Sequence, residues 1–380
     1  MTVSPGSLCS GGGEKARCGT CGKVYRSYYD RHWRRVRDLS GGGFRVYLEL
    51  EVRRVCCRHC GGVKQERLDF LADNPRYTRR FALEVGRRCH DASLKSVADA
   101  LHLDWHTTKE LEKEYLREQL RRAGEARPKI IGIDEVSVRK GQRYRIIVSD
   151  LVRCRPIWFE GPDRSQASLE RFYQWLGPKR CSRIELAVMD MWEPFALATA
   201  KHVPRAAILY DKFHVVSHLN DALDEVRRSE SARLESDDER RFIKGQRYTL
   251  LSRRAHLSYR GRHALKLLLA ANKRLQVAYL LKESFNQLWS YRTAGGARAF
   301  FWDWQQSLRW QRLAPYQKFV ELVLRHWDGI AAWCRLERKF SLGFVEGLNN
   351  KVRVIQRRAY GLRDEEYLRL KVLTMTLPQL

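Results

Sequence analysis

From residue 129 the hydrophobic pattern changes to short apolar runs, and their order is the strongest constraint on the fold. Residues 129–138, 144–151 and 156–160 read as three strands, the first two joined by Lys140-Gly141-Gln142. Ser165 then caps a helix running to Leu176, 184–190 is a strand, 194–202 a helix, 206–211 a strand and 214–234 a long helix. Three strands linked by short turns must pair antiparallel, and alternating strand and helix then gives parallel additions. The order β-β-β-α-β-α-β-α predicts an α/β (α+β) domain with a ribonuclease-H-like mixed sheet, in which the first and fourth strands are neighbours. Residues 237–338 return to a helical pattern dense in Trp289, Trp302, Trp304, Trp310, Trp327 and Trp333, an all-helical insertion. At these spacings Trp more often packs helices than stacks bases.

Charged residues interrupt this apolar frame at informative places. Asp134 lies within Ile131-Gly132-Ile133-Asp134-Glu135 on the first strand, and Asp190 ends the fourth after Leu186-Ala187-Val188-Met189. Two carboxylates about 4 Å apart repel by roughly 4 kcal/mol at an effective dielectric of 20, so adjacent strands carrying them imply a divalent cation. Oxygen donors select Mg²⁺ or Mn²⁺. A third acid, Glu346, lies within a segment whose Val345, Leu348, Val352, Ile355 and Ala359 form a stripe at helical spacing. Glu346, Asn350, Arg353 and Arg357 fall on another face of that helix. Taken singly, an Asp at a strand end is a common turn cap and Glu346 an ordinary surface residue. Together the three acids and the basic helix fit two-metal chemistry on a phosphodiester.

The front of the chain has a different chemistry. Cys18 and Cys21 form one C-x-x-C, and Cys57 and Cys60 a second. Between them, 31–39 and 44–55 read as strands around Gly41-Gly42-Gly43, with Phe44, Val46, Leu48, Leu50 and Val52 alternating to one face. A hairpin returns the chain and brings the two knuckles together around a structural Zn²⁺. Such a site supplies on the order of 10–16 kcal/mol of apparent binding energy to a module too small to hold itself together. Cys56 or His59 is an alternative ligand in the second knuckle, and Cys9 is spare. Residues 78–122 then read as three helices, with Asp104, or Thr107 with Glu110, starting the third. This is the pattern of a helix-turn-helix and equally of any small helical bundle; as a helix-turn-helix, its third helix, from Trp105 through His106 and Lys109, reads base edges.

With 72 Lys and Arg against 44 Asp and Glu, the net charge is +28, which points to a polyanionic partner, nucleic acid first. Residues 1–127 carry +9 and the remainder +19, so the excess is spread over several surfaces rather than held in one basic arm. No run of 18 apolar residues suits a bilayer, and residues 1–13 lack the apolar centre of a signal peptide. A cytoplasmic, nucleoid-associated protein with no membrane partner is expected.

Gly132-Ile133-Asp134-Glu135, Val188-Met189-Asp190-Met191-Trp192, Asp211-Lys212-Phe213-His214 and Gly343-Phe344-Val345-Glu346-Gly347-Leu348-Asn349-Asn350-Lys351 together resemble the DDE transposases of the ISL3 group of bacterial insertion sequences. The likeness extends through the zinc ribbon, the helix-turn-helix and Tyr360-Gly361-Leu362-Arg363. It implies a catalytic triad of Asp134, Asp190 and Glu346 holding Mg²⁺ or Mn²⁺, with Asp211, His214 and Asn350 supporting it. It also implies phosphate contacts from Lys351, Arg353 and Arg357, and an assembly of two or more subunits on paired double-stranded DNA ends. Such an enzyme cleaves its element's terminal inverted repeats and joins the freed 3′-hydroxyls to target DNA. The implied division is a zinc ribbon (1–70), a helix-turn-helix (71–127), the first catalytic part (128–234), the helical insertion (235–340) and the final catalytic helix with the C-terminus (341–380). A zinc-containing DNA-binding regulator and a nuclease that cuts without joining are the competing readings.

Overall fold

The computed structural model describes residues 15–139, 143–335, 343–358 and 362–380. The Lys140-Gly141-Gln142 turn, Cys9, Ala359, Tyr360-Gly361 and the end of the insertion lie outside them. Two compact units are present: Met1–Glu125 with Arg358–Leu380, and Ala126–Arg357.

In the first unit, β1 (Ala16–Arg17) pairs with β2 (Val24–Tyr25), and β3 (Asp30–Arg37), β4 (Tyr47–Cys56) and β5 (Val63–Gln65) form an antiparallel sheet in that order. The expected hairpin is β3–β4, in register from Asp30 opposite Arg54 to Arg37 opposite Tyr47. Gly42 and Gly43 turn it with positive φ, where a side chain would be strained. The alternating apolar face reaches the interior only at its far end: Val52 is buried while Phe44 is 79% exposed. Period-two alternation reports a pleat, not what covers it.

Three helices follow, Arg79–Asp91, Leu94–Leu101 and Trp105–Ala123, capped by the side chains of Thr78, Ser93 and Asp104. Phe81, Val85, Cys89, Val97, Leu101 and Leu111 form their core. Gly86 lets the first and third helices meet, because a Cβ there would lie 2.2 Å from Tyr115. The last helix, Glu365–Thr374, packs on the third through Tyr115, Leu116, Tyr367 and Leu370. Beneath it, buried Glu112 pairs with Lys371 Nζ at 2.6 Å and accepts from the Tyr367 hydroxyl.

The second unit is built on β6 (Ile130–Arg139), β7 (Arg143–Asp150), β8 (Arg155–Glu160), β9 (Leu186–Met189) and β10 (Ala207–Tyr210). Their order is β10-β9-β6-β7-β8; β6, β7 and β8 pair antiparallel, and β9 pairs parallel with both β6 and β10. This is the mixed sheet expected, with the first and fourth strands side by side. Helices Gln166–Leu176 and Glu193–His202 are tied by Tyr173 Oη and Thr199 Oγ1 at 2.8 Å, and Lys212–Ala232 follows β10. Helices from Asp237 to Arg335 make up the insertion. Its core takes Trp289, Trp304 and Trp333, whereas Trp302 and Trp310 are exposed. Among the described residues, no helix is long and apolar enough to cross a membrane.

Candidate active site and metal centre

β6 and β9 run parallel with Gly132 opposite Val188. Asp134 and Asp190 each lie two residues past this last pair, toward the carboxyl end of β9 where open α/β sheets place their ligands, and the Asp190 charge acts on Asp134. The half-buried Asp134 carboxylate accepts from the Glu135 backbone N–H at 2.8 Å and from Asn349 Nδ2 at 2.7 Å. Burial pushes its pKa up and the Asp190 charge adds to this, while the Glu135 N–H, His214 and Asn349 pull it down.

Asp190 lies 3.9 Å from His214 Nδ1. The intervening chain explains how. The Asp211 N–H bonds to Met189 O at 3.0 Å, and its buried side chain caps the Lys212–Ala232 helix through the Phe213 N–H. That cap fixes the first helical turn, from which His214 reaches Asp190. Of the D-x-x-H pair, Asp211 is therefore the capping residue and His214 the one facing the acids.

The Gly343–Arg358 helix buries Val345, Leu348 and Val352, the expected stripe. Besides Asn349, Gln356 ties it to β6 by donating to Val138 O at 3.3 Å. Glu346 occupies its first turn and is exposed. Asn350 is also exposed and accepts from Arg353 at 3.1 Å, so the asparagine on Asp134 is its neighbour Asn349. Lys351, Arg353 and Arg357 are exposed along the helix.

Sequence reasoning passed over a second layer. Glu135 Oε1 receives Arg164 Nη1 at 3.2 Å, and Oε2 is buried without a hydrogen-bond partner. Burial raises the Glu135 pKa, and the charges of Asp134 and Asp190 raise it further. Arg164 stacks 4.5 Å above the Trp192 ring, whose Nε1 donates to Arg164 O at 2.8 Å. The consecutive acids of Asp134-Glu135, and Trp192 two residues past Asp190, were the available signals.

In the first unit, Cys18, Cys21, Cys57 and Cys60 bring their sulfurs within 4.8 Å of one another, the only such group of three or more metal-ligating side chains among the described residues. Cys56 is exposed outside it, which resolves the ambiguity of the second knuckle. Four thiols in two C-x-x-C turns are the donor set of a structural zinc site. The Tyr25 hydroxyl, 3.1 Å from Cys57 Sγ, helps bring that thiol's pKa down to about 6. On the third helix Trp105 and His106 are exposed and stacked at 3.7 Å, whereas Lys109 bonds to Asp364 at 3.1 Å.

Comparison with known proteins gives a consistent picture. Residues 131–372 match a family model described as a transposase, 14–60 one described as the zinc-finger of transposase IS204/IS1001/IS1096/IS1165, and 66–115 one described as the helix-turn-helix domain of transposase family ISL3. The chain is 34% identical over 357 residues to the transposase for insertion sequence element IS1001 of Bordetella parapertussis, covering 93% of this chain and 87% of the relative. It is 28% identical over 380 residues to the transposase for insertion sequence element IS1557 of Mycobacterium tuberculosis, covering 93% and 84%.

Proposed function

The chain belongs to the ISL3 family of DDE transposases, and from that premise we propose that Asp134, Asp190 and Glu346 are its catalytic acids. The observation that carries this reading is that Asp134 and Asp190 follow the last paired positions of adjacent parallel strands, close enough for the Asp190 charge to raise the Asp134 pKa, with the Glu346 helix anchored to Asp134 through Asn349. The donor set fits Mg²⁺ or Mn²⁺: the ligands are carboxylate oxygens, and Asp134 is held above its ordinary range by burial and a neighbouring negative charge that a cation would offset. When bound by these acids, a pair of such ions stabilises the attacking and leaving oxygens of an in-line displacement at phosphorus.

The protein's own groups do the rest. Asn349 orients the Asp134 carboxylate, His214 sits against Asp190, and Asp211 holds the turn that presents His214. Lys351, Arg353 and Arg357 contact backbone phosphates, and Trp105 and His106 read base edges in the major groove. The zinc ribbon and helix-turn-helix hold the terminal inverted repeats of the element. Water then cleaves the strand at the element end with the 3′-oxygen as leaving group, and the freed 3′-hydroxyl attacks a phosphodiester of target DNA, displacing that strand's own 3′-oxygen as a hydroxyl. Two or more subunits act on paired ends in the nucleoid. The functional division follows the five segments 1–70, 71–127, 128–234, 235–340 and 341–380.

Asp134→Asn tests the assignment with a labelled duplex carrying one element end. Cleavage and joining are expected to vanish while end binding persists; undiminished strand transfer would remove Asp134 from the triad. Wild-type protein that binds without Mg²⁺-dependent nicking would indicate a regulator, and one that nicks without forming joined product a nuclease.

A further inference from the structure

Within the first unit, a cleft of about 550 Å³ opens between the ribbon sheet and the helices. Arg34, Arg35, Arg37, Arg76, Tyr47 and Tyr77 line it, and no carboxylate does. Asp38, which follows Arg37 in the chain, is occupied by the Thr78 hydroxyl at 2.7 Å and by Arg80. Arg35 is pre-positioned 4.1 Å above the Tyr47 ring, and Arg37 4.7 Å above Phe81. Arg37 is only 6% exposed, yet its Nε has no hydrogen-bond partner, and Arg34 Nη1 is likewise buried and unpartnered. Guanidinium donors left unsatisfied beneath a surface cleft are costly unless an anion completes them.

His102 and Leu103 also line the cleft. His102 takes a left-handed conformation, φ 51°, and this tight turn leads directly into Asp104 and Trp105 at the start of the third helix. An anion held here sits beside the helix end that reads bases, as a backbone phosphate does when it fixes the register of a helix-turn-helix on its site. We propose that this arginine cleft is a phosphate clamp for one strand of duplex DNA, contacting the sugar-phosphate backbone next to the third helix. The inference rests on the end-binding reading of this unit and names the residues that would fix its register.

Arg35 and Arg76 are exposed and can be changed without emptying a core. Binding of the full-length Arg35→Gln/Arg76→Gln variant is measured against salt concentration on two duplexes, an element end and an unrelated sequence of equal length. The slope of log affinity against log salt is expected to fall by about 2, one unit for each phosphate no longer neutralised. The fall occurs on both duplexes, and the preference for the end is retained. The control Arg121→Gln/Arg122→Gln removes the same charge from the opposite end of the third helix and leaves the slope unchanged. An unchanged slope in Arg35→Gln/Arg76→Gln, or an equal fall in the control, overturns the clamp. Absence of end preference in the wild-type protein defeats the end-binding reading instead, and the unrelated duplex still decides the clamp.

Discussion

Cys18, Cys21, Cys57 and Cys60 each bring a sulfur to within 4.8 Å of the others, whereas of the three acids Asp134 and Asp190 lie just past the paired positions of adjacent strands and Glu346 stands exposed on its helix. The difference is one of charge. Thiols in a cluster can crowd by sharing their charge unequally, the Cys57 pKa being lowered to about 6 while that of Cys60 is raised; ionised carboxylates repel, and burial already raises the Asp134 pKa. The thiols also come from two knuckle turns of one small ribbon, which closes all four positions around an ion. The acids of the proposed triad come from a strand, from the end of its neighbour and from a helix beyond the insertion, and with Glu346 exposed the set is open on its side. A closed donor set suits a structural role and an open one a catalytic role.

The sharpest way to break this contrast is to disable the thiol set. Cys18→Ser, or removal of metal by a chelator, is expected to unfold the ribbon and abolish specific end binding while the five-stranded sheet stays folded, since a metal-dependent module loses most of its stability with its ion. Hydrogen exchange resolves the two regions. Protection that persists in β3 and β4 after metal removal would show that the ribbon stands without its ion.

A smaller effect distinguishes the two asparagines beside Glu346. Asn349→Ala removes the hydrogen bond that orients Asp134, and removal of such an orienting partner typically costs about 10–100-fold in metal affinity or activity. Cleavage of a labelled end, titrated with Mg²⁺, should fall within that range with end binding unchanged. Asn350→Ala, which gives up only an exposed bond to Arg353, should cleave at the wild-type rate. Equal losses in the two variants would mean that the acid site is organised from the exposed face of the helix.

Much of this was legible in the sequence, and for physical reasons. Strand order, and with it the adjacency of Asp134 and Asp190, follows from the change of hydrophobic period at residue 129. The cysteine pairs and the buried stripe of Val345, Leu348 and Val352 follow from spacing alone. What escaped was rotation about a helix axis: Asn349 and Asn350 differ by about 100° on an α-helix, and a stripe read to the nearest residue could not say which one faces the sheet. The attachment of Glu365–Thr374 to the third helix was equally hidden, because the Glu112–Lys371 pair joins residues remote in sequence with no local pattern to mark it. The Arg164–Glu135 contact escaped for the same reason.

The smallest effect concerns how the ribbon is joined to its neighbouring helices, a polar counterpart to the acid pair in the other unit. Asp38 is fully buried at the end of the hairpin, and its carboxylate accepts from Thr78, the cap of the first helix, and from Arg80 Nε at 2.6 Å. The Arg80 bond is the main reason its pKa falls to about 2, with Thr78 assisting against the opposing effect of burial. A carboxyl depressed on folding contributes stability that is present above its unfolded value and lost as pH falls through the folded one. Asp38→Asn is therefore expected to cost about 1–2 kcal/mol near neutral pH, the range of a charge-assisted bond with one exposed partner. In thermal melts the gap between the two proteins should hold down to about pH 4 and close toward pH 2. Asp134 has the opposite sign, since its pKa is raised; a gap for Asp38→Asn that widens on acidification would place Asp38 in the same class as Asp134 and erase the distinction between the two units.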